Sequence, residues 1–160
     1  MTIIKAVLFG SVDLLQVGDA HGFLDDAQAQ GVKLGLVSGR SSTDTDAATL
    51  AGGDRSLAGR FDLMISDHDV GATKPDAYAY LTALDRLGLP SAEVIAIEDS
   101  EAGGRAALAA GLATFAVGSG FSGASEVYSS LEGVTLSHMA AKIGREVWAT
   151  QAEHSASIEV

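Results

Sequence analysis

What most constrains this chain is an alternation. Short runs rich in Val, Ile, Leu and Phe, each closed by a small or polar residue, take turns with longer stretches whose apolar residues recur at helical spacing. Ile3–Phe9 (ending at Gly10), Val32–Val37 (broken by Ser38-Gly39), Phe61–Ser66, Val94–Ile97 and Leu112–Val117 read as strands. Between them, Asp19–Gln30, Ser42–Leu50, Pro75–Leu87 and Ser100–Ala110 read as helices. Phe23, Leu24 and Ala27 share one face of the first, and Gly31, Gly88 and Gly111 act as stops. Pro75 is expected at the first turn of its helix, where its fixed φ is favourable and its missing N–H costs nothing. Two weaker segments follow, Ser125–Leu131 and Ser137–Thr150. Strands buried on both faces and alternating with helices imply parallel βαβ units with right-handed crossovers. The expected fold is α/β, a doubly wound parallel sheet with helices on both faces, and its sites should form at the carboxyl ends of the strands.

Composition narrows the function classes. With 160 residues and 47% hydrophobic content the chain holds one full core, so residues 1–150 are expected to form a single domain with 151–160 as a loose tail. Asp and Glu outnumber Lys and Arg by 21 to 10, a formal charge of −11. That argues against nucleic acid or an anionic membrane as partner, since both need a basic footprint. There are no cysteines, which excludes disulfides and thiolate chemistry. No apolar run is long enough for a membrane span, and the start is too brief for a signal sequence, so a cytoplasmic protein is expected.

The strand-end rule directs attention to Gly10–Asp13, Ser38-Gly39, Lys74 and Glu98-Asp99. Adjacent carboxylates after the fourth strand suit a hard divalent cation such as Mg²⁺. Taken alone, however, Asp99-Ser100 is more commonly a helix cap. Ser38 and the N–H groups around Gly39 suit a phosphate oxygen, and the alternative there is an ordinary Ser-Gly turn. The Lys74 ammonium suits a phosphate's charge, or is a solvated surface lysine. His21, His68, His138 and His154 show no paired ligand spacing and are expected in surface or structural roles, and Trp148 as a packing anchor.

Together these features resemble the haloacid dehalogenase superfamily, in its branch of phosphatases and β-phosphoglucomutase-like enzymes. The closest stretch runs from Lys74-Pro75-Asp76-Ala77-Tyr78 through Val94-Ile95-Ala96-Ile97-Glu98-Asp99-Ser100 to Gly111 and is similar to the branch's third and fourth motifs. Gly31–Gly39 is similar to its second. The resemblance covers roughly residues 3–120. It implies a Rossmann-like core, with Ser38, Gly39 and Lys74 on the transferring phosphoryl group and Asp99, supported by Glu98, on Mg²⁺.

Two departures qualify the resemblance. The family's nucleophilic aspartate and its second, acid/base aspartate fall at positions held here by Gly10 and Val12, and neither residue can perform the corresponding step. A one-residue slip or bulge would align Ser11 and Asp13 instead, although serine needs an activating base. Only Leu14–Gly18 separate this region from the next helix, so the core is expected to be capless and open to solvent. Three readings follow. The first is a phosphate- and Mg²⁺-binding remnant, weakly active or inactive as a phosphatase, with a weakly held metal. The second is an active Mg²⁺-dependent phosphatase using Ser11 or Asp13, with Lys74. The third is a structural or regulatory interaction module. Expected partners are a phosphorylated small molecule or protein, and a second copy of the chain.

Overall fold

The computed structural model describes residues 2–15, 20–39, 59–66 and 70–147. Six strands form one parallel sheet: β2 (Ala6–Phe9), β3 (Lys33–Ser38), β4 (Leu63–Ser66), β5 (Val94–Glu98), β6 (Ala113–Val117) and β7 (Val127–Tyr128). Their order is β4-β3-β2-β5-β6-β7, parallel throughout. The helices are α1 (Ala20–Ala29), α2 (Tyr78–Leu87), α3 (Glu101–Ala109) and α4 (Leu136–Lys142).

Strand parity sorts the core into two layers. Val7 and Phe9 of β2, Leu34 and Leu36 of β3, and Ile95 and Ile97 of β5 pack with Phe23, Leu24 and Ala27 of α1 and Met139 of α4. The alternate residues Ala6, Leu8, Val37, Val94 and Ala96 pack with Tyr80, Ala83 and Leu84 of α2 and Ala106 and Ala107 of α3. Each fully buried Leu, Ile or Phe is worth about 1.5–3 kcal/mol relative to an exposed one. Helices therefore cover both faces, as the sequence predicts. From β2 the chain moves outward to β3 and β4, then returns to the other side of β2 for β5, β6 and β7. The strand order thus reverses between β2 and β5, and a crevice opens beyond their carboxyl ends. Residues 10–19 alone link β2 to α1, leaving no room for a cap domain there.

Several expectations are corrected. Ile3–Phe9 is not one strand. β1 (Ile3–Ile4) pairs with β8 (Glu146–Val147) in a separate two-stranded sheet, and β2 starts after Lys5, whose N–H donates to the Glu93 carbonyl at 2.8 Å. Pro75 does not open α2. The Lys74–Pro75 peptide is cis, Asp76 turns back onto Thr73, and the helix begins at Tyr78 with its N–H donated to Asp76 Oδ1 at 2.8 Å. Gly88 does end it, with φ of 68°. Ser125–Leu131 reduces to the two residues of β7, and Ser137–Thr150 resolves into α4 and then β8. The helix expected at Ser42–Leu50, His68, Trp148, His154 and the tail from Gln151 lie outside the described residues.

Candidate active site

The crevice at the strand reversal is a cleft of about 340 Å³, lined by Gly10, Ser11, Asp13, Gly39, Lys74, Asp99 and Ser100. All follow strand ends or, for Lys74, lie on the loop before α2, so the sheet brings Gly10, Lys74 and Asp99 to the edge where β3 ends at Ser38, as expected, with Gly39 among the lining residues. Ser38 is different. It is the last residue of β3, on the α1 side with Leu34 and Leu36, and is 2% exposed. Its neighbour Gly39, not Ser38, is among the described lining residues.

Lys74 is held from three directions. Its Nζ donates to the Gly10 carbonyl at 2.7 Å, the Val37 carbonyl at 3.0 Å and Glu98 Oε1 at 2.8 Å. Its side chain is 9% exposed, and the ammonium stands 5.4 Å from the centre of the Tyr80 ring. An ammonium has three N–H donors, so these acceptors match its capacity.

Glu98 and Asp99 have different surroundings. Parity puts Glu98 on the α2/α3 side with Val94 and Ala96, and its side chain is 1% exposed. Tyr80 donates its hydroxyl to the same Oε1 that pairs with Lys74. Oε2 is buried without a hydrogen-bond partner among the described residues. Glycines wall the slot that holds this carboxylate: a Cβ at Gly10 or at Gly103 would collide with it. Burial pushes the Glu98 carboxyl above its usual range, against the opposing pull of Lys74 and Tyr80. The structure thus places Glu98, the expected metal neighbour of Asp99, inward against Lys74 and Tyr80.

Asp99 does face the cleft. Burial is the main cause that lifts its carboxyl above the usual range, with the Asp13 charge adding to it and a hydrogen bond from Ser11 opposing it. Asp13 sits on a short 3₁₀ turn, Val12–Leu15, and its backbone N–H donates to Ser11 Oγ at 3.1 Å. Three residues beyond Gly10, it nevertheless reaches the cleft, because that turn folds the chain back instead of extending it. Ser100 caps α3: its hydroxyl accepts the Gly103 N–H at 3.1 Å. Among the described residues no three His, Cys, Asp or Glu side chains converge on one metal-sized point. Asp13 and Asp99 remain as two cleft-facing carboxylates, a donor set that fits Mg²⁺ holding most of its own water. His21 is exposed on α1, while His138 on α4 lies 3.2 Å from the Glu126 carboxylate, a structural contact. Tyr80 and Gly103 were not singled out by the sequence. The signal for Tyr80 was its helical spacing with Ala83 and Leu84 on the inward face of α2.

The haloacid dehalogenase-like hydrolase family matches residues 4–111, a span that includes every described residue of this cleft. The chain belongs to that family. It is 35% identical over 109 residues to the protein CbbY of Rhodobacter capsulatus, covering 68% of this chain and 47% of that protein. The chain thus spans about half the length of the curated relatives it matches. Among solved structures, CbbY from Rhodobacter sphaeroides in complex with phosphate superposes with a TM-score of 0.64 at 26% identity, over 78% of this chain and 61% of that one. A β-phosphoglucomutase-like protein from Thermotoga maritima gives 0.58 at 26% identity, over 67% and 52%. The phosphatase-branch resemblance carried by Lys74 to Gly111 agrees with these neighbours.

Proposed function

We propose that this chain is a phosphate-binding core that requires Mg²⁺ to bind its ligand and is weakly active or inactive as a phosphohydrolase. The observation that carries the reading is at position 10. Phosphoryl transfer through an enzyme carboxylate needs that atom in line with phosphorus. Here the position is glycine, and the Glu98 carboxylate fills the space a side chain would need. Electrostatic stabilisation by the remaining groups cannot supply the missing bond-forming atom. Phosphate in complex with the Rhodobacter sphaeroides relative supports the ligand class. Ser11, Gly39 and Ser100 would contact the phosphate, with Ser38 behind Gly39 and Lys74, paired with Glu98, at its edge. Asp13 and Asp99 would hold Mg²⁺. Bound there, the metal supplies charge that offsets both the carboxylates and the phosphate. The ligand would be a phosphorylated small molecule or the phosphorylated surface of a protein, since residues 10–19 carry no cap over the cleft.

A second reading is favoured by the placement of Ser11 and Asp13 in the cleft, with Ser11 bonded to Asp99. It is an active phosphatase in which these residues replace the missing pair. Assaying a generic phosphate ester with Mg²⁺ separates the two. The first reading expects turnover at or near background in wild type and in Asp13→Ala alike. Robust wild-type turnover that collapses in Asp13→Ala would reject it and establish the second.

A further inference from the structure

We propose that Glu98 is a resident counter-anion for Lys74, and that it sets the phosphate affinity of the cleft by keeping the lysine's charge from the ligand. This rests on the reading of the cleft as a phosphate site. The lysine that a phosphate would use is spent on Gly10 O, Val37 O and Glu98 Oε1. Of these partners only Glu98 carries charge, so Glu98 is the counter-ion bonded directly to the ammonium. It is held in place by shape as well as charge. Gly10 and Gly103, from opposite ends of the cleft's sequence, both leave out the Cβ that would expel it, and Tyr80 bonds it from below. The missing side chain at position 10 and the inward carboxylate are therefore one arrangement: the glycine makes room for the anion that replaces an external one.

The carboxylate is incompletely satisfied, since Oε2 has no partner among the described residues. Its residence depends on Lys74 and Tyr80. Two anions cannot share one ammonium at full strength, because each weakens the other by direct repulsion. A phosphate entering beside Gly39 and Ser100 thus meets Lys74 as half of a neutral pair. Glu98→Gln keeps the shape and an acceptor for Lys74 and Tyr80 while removing the competing charge.

The test titrates inorganic phosphate into the full chain at fixed Mg²⁺ by calorimetry, for wild type, Glu98→Gln and Lys74→Met/Glu98→Gln. Thermal melting of each confirms that it is folded. Phosphate should bind Glu98→Gln at least about tenfold more tightly than wild type, the effect of a close charge even in a well-screened site. The double variant should fall back to the wild-type level, because the gain runs through Lys74. It leaves no unpaired buried charge and so should fold. Equal affinity in wild type and Glu98→Gln, or a gain that survives Lys74→Met, would overturn the proposal while leaving the phosphate site intact. Absence of binding in all three would overturn both. Wild-type protein gives an independent measurement should Glu98→Gln not fold. Nitrogen-15 NMR should show the Lys74 ammonium still hydrogen-bonded to the Glu98 carboxylate when Mg²⁺ and phosphate saturate the cleft, and transfer of that bond to phosphate would contradict the proposal.

Discussion

Glu98 and Asp99 are neighbours in sequence with opposite fates, because one residue of strand parity turns one carboxylate inward and lets the other face the cleft. Glu98 is locked to Lys74 and Tyr80, whereas Asp99 faces Asp13 with burial pushing its carboxyl up. The sign of that shift makes Asp99 a stability liability. A carboxyl whose folded pKa lies above its unfolded one binds its proton more tightly in the native state. Stability is then lost as pH rises through the ordinary value near 3.8 and the raised folded value, and stays lost at neutral pH. Asp99→Asn cannot ionise. With metal chelated, it should melt at a higher temperature than wild type at pH 7, and that advantage should vanish at about pH 4 or below. An unchanged or lower melting temperature at pH 7 would contradict the assigned burial and Asp13 repulsion. The parity that separates these residues was legible in the sequence, since Val94, Ala96 and Glu98 share a face. The slot was not, because Gly10 and Gly103 meet only in the folded sheet.

At the scale of elements, the apolar runs and glycine stops defined five of the six strands of the main sheet and three of the described helices. Burial on both faces leaves little freedom to a strand in a parallel sheet. The failures were at the margins. β1 and β2 form one apolar run in sequence yet join different sheets, because Lys5 bonds to Glu93 and Lys33 where the run changes partner. The start of α2 was misplaced because Asp76, not Pro75, supplies the acceptor for its first turn. The cap of α3 was one of two readings open for Asp99-Ser100, and it invites a paired test. Ser100 accepts the Gly103 N–H at 3.1 Å, and Thr135 accepts the His138 N–H at 3.1 Å at the start of α4, outside the cleft. Ser100→Ala and Thr135→Ala should each cost about 1 kcal/mol in urea denaturation. Only Ser100→Ala should also weaken phosphate binding, since Thr135 is not among the cleft's lining residues. Equal phosphate affinities in the two variants would remove Ser100 from the proposed ligand contacts.

For the whole molecule, the decisive quantities are the position of the cleft and the sign of its field. The sheet places it where strand order reverses between β2 and β5, at the mouth of a chain carrying a net charge of −11. Its described charges are the cleft-facing carboxylates of Asp13 and Asp99, against a lysine already paired with Glu98. Such a cleft repels a phosphate dianion and attracts a cation, so on the proposed function ligand binding should be ordered, with Mg²⁺ entering first. Because a ligand of the native state stabilises it according to its concentration over its dissociation constant, thermal melting reads this order directly. Phosphate with a chelator should leave the melting temperature unchanged, and Mg²⁺ alone should raise it slightly by relieving the repulsion between Asp13 and Asp99. The two together should raise it by more than the sum of their separate effects. The excess is the coupling between cation and anion, and it should disappear in Asp99→Asn, where one of the two metal-facing carboxylates is gone. A phosphate effect of equal size with and without Mg²⁺ would mean that the cleft holds anions by other groups, and would remove the metal from the proposed function.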